Sequence, residues 1–138
     1  MNKLFSSLIA VTLVFSSNVL AEVAVIVGAS NGNSVAADDV SRIFLGKMKK
    51  FGDGSSITPV NLAAGSATRD AFESNALGKS ASQVKAYWSK QVFSGKGKPP
   101  QELGSDADVV SFVSSTPGAI GYVDAGSVDG SVKVVATF

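Results

Sequence analysis

Ile57-Thr-Pro-Val-Asn-Leu-Ala-Ala-Gly-Ser-Ala-Thr-Arg-Asp-Ala-Phe72 is the stretch on which the fold class turns. Ile57 to Leu62 reads as a strand, Gly65 breaks it, and a helix should start at Ser66 and stop at Gly78, burying Phe72 and Ala76 or Leu77. Toward the N-terminus, Glu22 to Val27 is β-branched and almost wholly apolar, the pattern of a buried strand. After the Gly28–Ser34 loop, a short helix over Ala37 to Leu45 sets Val40, Ile43 and Phe44 on one face, with Gly46 at C′. Lys47 to Ser56 is a basic, glycine-rich turn region. Toward the C-terminus, Ser80-Ala-Ser-Gln83 is a capping box, and behind it Val84, Tyr87, Trp88 and Val92 form one apolar stripe. Gly95 to Pro100 breaks the chain. Ser105 with Asp108 then opens a third long helix carrying Val109, Val110, Phe112 and Val113. Thr116-Pro-Gly118 ends it, and Ala119 to Val123 and Val132 to Ala136 are short strands around a Gly/Asp turn. Strands at both ends with helices between them predict one α/β domain, a central mixed sheet flanked by helices in a three-layer-like arrangement. No internal repeat or domain boundary interrupts it.

The first residues carry a different signal. Lys3 is followed by an apolar run from Leu4 to Phe15, then by polar Ser16-Ser-Asn18, and Val19-Leu-Ala21 has the small-x-small character a signal peptidase reads. The run is too short to span a membrane, which takes about 20 apolar residues. No cysteine follows it for lipid anchoring. The expectation is a signal peptide over residues 1–21, cleavage after Ala21, a periplasmic location, and no membrane insertion after processing. Removing 21 of 138 residues leaves a 117-residue domain over 22–138, long enough to bury roughly two-thirds of its unfolded surface.

Composition closes off several functions. With no cysteine the domain holds together by its core alone and has no thiol redox chemistry. With no histidine it lacks the commonest general base, the commonest metal ligand and every Ser-His pair. Without Lys3 the charges balance at 11 basic against 11 acidic residues, which argues against nucleic acid and anionic membranes as partners. Helix starts and turns account for the carboxylate pairs Asp38-Asp39, Asp106 with Asp108, and Asp124 with Asp129. Gly78-Lys-Ser80 imitates the end of a phosphate-binding P-loop, but Glu73 stands where the earlier glycine belongs. Lys47, Lys49 and Lys50 read as a solvated turn or a docking point for an acidic partner. No enzymatic activity, metal or cofactor is expected.

Gly65-Ser-Ala-Thr-Arg-Asp70 is the strongest local signal for a ligand. At a strand-to-helix junction the amides of Ser66, Ala67 and Thr68 point out of the helix start, two hydroxyls stand among them, and the helix dipole adds positive potential. Such a corner holds an oxyanion. The same residues also suit a plain helix start capped by Ser66.

Three segments, Val40-Ser-Arg-Ile-Phe-Leu-Gly-Lys47 with Phe51-Gly-Asp-Gly54, Ile57 through Phe72, and Thr116-Pro-Gly-Ala-Ile-Gly-Tyr-Val123, together resemble the periplasmic phosphate-binding proteins of ABC transporters. Tyr87-Trp88 and the Gly95–Pro100 turn are similar to short, stand-alone relatives of that family. The resemblance covers nearly all of the domain and implies one lobe, the second, of a type II periplasmic binding protein, without the first-lobe hydroxyls and acidic residue that complete the ligand shell. It places the family's Ser-Gly-Thr anion motif on Ser66, Ala67 and Thr68, and the family's arginine on Leu62, with Arg69 nearby. It therefore implies weak binding of an inorganic oxyanion such as phosphate at Ser66, Ala67, Thr68 and Arg69, or accessory work in phosphate uptake beside an ABC permease. The alternative is a structural or interaction module of the cell envelope that has kept the lobe and lost the ligand.

Overall fold

β1 (Val23–Gly28) lies inside the sheet because Val23 to Val27 leave no polar side chain to face water, and all five are buried. The computed structural model describes residues 22–138, so the expected signal segment falls outside the described residues. From β1 the chain runs through α1 (Ala37–Phe44), β2 (Thr58–Leu62), α2 (Ala67–Phe72), a π-helical turn (Glu73–Leu77), α3 (Ala81–Phe93), β3 (Gln101–Leu103), α4 (Asp106–Ser115), β4 (Ala119–Asp124), a 3-10 turn (Ala125–Ser127) and β5 (Val132–Thr137). The five strands form one sheet in the order β3-β2-β4-β1-β5. β2 runs parallel to β3 and β4, while β1 is antiparallel to β4 and β5, so the sheet is mixed as expected.

Helices cover both faces. Gly121 marks the α4 side: a Cβ there would lie 2.7 Å from Val109 Cγ1 and 3.0 Å from Val60 Cγ2, so only glycine lets α4 come this close. The next residue along β4 points the other way. On that face Tyr122 stacks on Phe72 of α2 at 3.8 Å between ring centroids, with Phe44 of α1 edge-on to both. Two helical layers thus enclose one sheet, as the binary pattern requires.

The local stop signals act as read. Gly46 has φ +73° beyond α1 and Gly78 has φ +63° beyond the π turn, both in the left-handed region that favours glycine. Ser80 and Gln83 form the reciprocal capping box at the start of α3, and Ser105 caps α4 by accepting from the Asp108 amide. Gly78-Lys-Ser80 is therefore a helix end meeting a helix start. Asp106 accepts from the Asp124 amide and the Ser127 hydroxyl, and Asp124 and Asp129 accept from amides two residues on, so these carboxylates are spent on turns.

Two features depart from the sequence reading. β3 carries no strand signal beyond three residues, and it pairs only with β2 at the sheet edge. The α3 stripe also divides. Val84 and Trp88 are buried, but Val92 is 54% exposed and Phe93 95%. Trp88 lies outside the main core cluster: its ring tip is over Gly46, 3.1 Å from where a Cβ would stand, and its edge faces Gly97.

Candidate functional site

The Ser66 corner lies at the carboxyl end of β2, where β2 parts from β4. Those two strands pair only at Thr58–Ala119 and Pro59–Ile120. Beyond that the Tyr122 hydroxyl fills the gap, accepting from the Leu62 amide at 3.3 Å and donating to Asn61 Oδ1 at 3.0 Å. Burial pushes the Tyr122 phenol well above its ordinary pKa, so the hydroxyl stays protonated and keeps both bonds. Ligand sites in open α/β sheets favour this kind of position, outside the carboxyl ends of parallel strands.

Gly65, at φ +88°, turns the chain from β2 into α2. Ser66 accepts from the Arg69 amide at 3.2 Å, so the helix cap is formed. Capping uses an oxygen lone pair and leaves the hydroxyl proton free to donate, so the capping and anion-binding roles are compatible. The Ala67 and Thr68 amides have no acceptor among the described residues. Ser66, Ala67 and Thr68 are thus brought together as the sequence suggested: two amides and two hydroxyls on one open corner.

Arg69 turns away from that corner. Its Nη1 donates to the Leu62 carbonyl at 3.0 Å and to Glu102 Oε1 at 2.5 Å, and its Nε lies 3.5 Å from Glu73 Oε2. Burial alone would lower the guanidinium pKa, but the Glu102 hydrogen bond and the Glu73 charge hold it raised. Leu62 is itself buried in the main core, so its side chain offers nothing to a ligand. Two carboxylates, Glu73 and Glu102, face the guanidinium, and Asp70 lines the same groove. Sequence reasoning missed Glu73 and Glu102. Glu73 sits one turn beyond Arg69, a spacing that marks an ion pair, whereas Glu102 arrives on the unread strand β3.

No group of three or more His, Cys, Asp or Glu side chains arranged to hold a metal ion occurs among the described residues. Nor is any helix there long and apolar enough to cross a membrane.

Residues 12–136 match the PBP superfamily domain. The chain belongs to that family. No curated protein matches it in sequence. Among solved structures it is similar to an ABC-type phosphate transport receptor from Vibrio cholerae, with 23% identity, a TM-score of 0.65, and coverage of 83% of this chain and 46% of that one. A phosphate ABC transporter substrate-binding protein from Clostridium perfringens, solved with bound phosphate, gives 24% identity, a TM-score of 0.65, and 83% and 45% coverage. PstS from Borrelia burgdorferi gives 17%, 0.53, and 77% and 42%. At these identities the likeness carries the fold, and this PBP-superfamily chain spans less than half the length of those structures. Its fold is that of one lobe of a type II periplasmic binding protein.

Proposed function

We propose that this protein is an exported, non-enzymatic solute-binding lobe that takes a phosphate-class oxyanion weakly at Ser66, Ala67, Thr68 and Arg69. One observation carries the reading: among the described residues the Ala67 and Thr68 amides lack acceptors at the carboxyl end of β2, beside the Ser66 and Thr68 hydroxyls. Arg69 contributes at a distance, since its Nη1 is held by Leu62 and Glu102 and its Nε faces Glu73. An arginine fork aimed at the anion adds about 1.5–3 kcal/mol, and its loss weakens binding by roughly one to two orders of magnitude. Phosphate should therefore bind with a Kd on the order of 0.1 mM or weaker, falling steeply with salt. Calorimetric titration with phosphate and sulfate tests this. Thr68→Val should weaken the binding by roughly one to two orders of magnitude at an unchanged thermal midpoint, whereas Ser66→Ala should also cost about 1 kcal/mol of stability through the lost cap. Micromolar binding by the wild type would mean that Arg69 swings onto the anion.

Processing belongs to the same reading. β1 begins at Val23, so cleavage after Ala21 would leave a single residue before the buried strand. A periplasmic product starting at Glu22 is expected by intact mass, with an ABC permease as the partner for uptake. The second reading is an envelope interaction module without ligand. The acidic excess around Arg69 favours it, because Asp70, Glu73 and Glu102 repel an anion. A flat phosphate titration would decide for it.

A further inference from the structure

Behind the Ser66 corner, between α3 and the β2–α2 turn, lies a groove of about 800 Å³, a volume usual for small-molecule sites. Trp88, Val84, Val92, Phe93 and Pro99 make its apolar side, and Asp70, Glu73 and Glu102 with Arg69 and Lys85 its charged end. Two features single out its occupant. Val92 and Phe93 are 54% and 95% exposed although they face the groove, so apolar surface is left uncovered there. Glu73 is only 3% exposed, yet its one ionic contact among the described residues is Arg69 Nε at 3.5 Å, and no shorter donor reaches it. A carboxylate has room for several donors, so Glu73 can accept another beside Arg69. Three carboxylates face two cations across the groove, so the unbalanced charge is negative.

We propose that this groove is a binding site for a small amphiphilic cation, its apolar body against Trp88, Val92, Phe93 and Pro99 and its ammonium or amidinium group on Glu73, Asp70 and Glu102. The site borders the oxyanion corner, shares Arg69 with it, and takes a ligand of opposite charge.

Trp88 is the chain's one tryptophan, so its fluorescence reports on the groove. Octylammonium, titrated below its micelle concentration against the full-length protein, should shift the Trp88 emission saturably, while octanoate at equal concentration should not. Glu73→Gln should weaken octylammonium about tenfold, the worth of one charge-assisted hydrogen bond. Val92→Asn lies at an exposed position and should keep the fold, and it should weaken octylammonium by removing part of the apolar wall without adding charge. Phosphate should not displace octylammonium, which separates this site from the oxyanion reading. Equal binding of octanoate, no saturable shift, or indifference to both substitutions would overturn the proposal. So would displacement by a basic amphipathic peptide at much lower concentration, which would make the occupant a protein segment. Light scattering that shows a dimer dissociated by Val92→Asn would also overturn it, assigning the groove to a second copy.

Discussion

Arg69 ties three separate pieces of chain together: the end of β2 through the Leu62 carbonyl, the π turn through Glu73, and the edge strand through Glu102. The Arg69 and Glu73 side chains are 13% and 4% exposed, so removing the guanidinium strands a buried carboxylate. Breaking such a pair costs about 3–5 kcal/mol. Arg69→Met keeps the apolar stem and isolates the charge effect. The cost should depend on pH in a definite direction. Burial raises the Glu73 pKa even with Arg69 opposing it, so the folded state holds its proton to higher pH than the unfolded chain does. A carboxyl shifted in that sense loses folding stability as pH rises from the ordinary carboxylate range through the folded value. Without Arg69 the upward shift grows. Urea unfolding should therefore show Arg69→Met losing about 3 kcal/mol or more against wild type at pH 7 and distinctly less at pH 4.5. A pH-independent loss would place the cost in packing instead.

At the scale of elements, α3 is a strap more than a core helix. Its anchors are Trp88 over Gly46 and the Tyr87 hydroxyl, which donates to the Leu45 carbonyl at 2.6 Å. Both reach the end of α1, and Val84 and Trp88 lie outside the main core cluster. Trp88→Ala should cost about 3–5 kcal/mol, as for other large buried aromatics, and Tyr87→Phe about 1 kcal/mol, both read from denaturant midpoints. Loss of α3 amide protection ahead of the β1 amides in hydrogen exchange would show that the strap opens first. Much of this element structure was legible in the sequence. Caps are local chemistry, so Ser80, Ser105, Gly46 and Gly78 announced the helix ends directly. What Trp88 packs against was not legible, because a stripe at helical spacing says only that a face is apolar. β3 stayed hidden for a related reason. Three residues pairing with one neighbour owe their strand to β2, and nothing within Gln101–Leu103 encodes it.

For the molecule as a whole, apolar runs and helix periods were enough to give an α/β sandwich, whereas the candidate site depended on contacts between distant segments. Ser66 to Thr68 are neighbours in sequence, so their corner could be read; Arg69 and Glu102 are 33 residues apart, so the neutralised guanidinium could not. The same contrast governs how closely the layers pack. Gly121 reads as an ordinary strand glycine, yet it sets the distance between α4 and the sheet. A Cβ there would lie 2.7 Å from Val109 Cγ1, 3.0 Å from Val60 Cγ2 and 3.3 Å from Val113 Cγ2. β-branched side chains have little rotamer freedom to yield, so Gly121→Ala must push the helix outward. Overpacking of this kind costs about 1–3 kcal/mol, and for a domain of this size each kcal/mol lowers the thermal midpoint by roughly 4 °C. Val109→Ala alone should also destabilise, by about 1–3 kcal/mol, through the cavity it leaves in a fully buried position. Combined, the two substitutions should largely cancel, because the methyl group introduced by Gly121→Ala fills the space that the Val109 side chain vacates. A double-mutant cycle should therefore give a favourable coupling of about 1 kcal/mol or more. Additive losses would mean that the sheet, and not α4, gives way around Gly121.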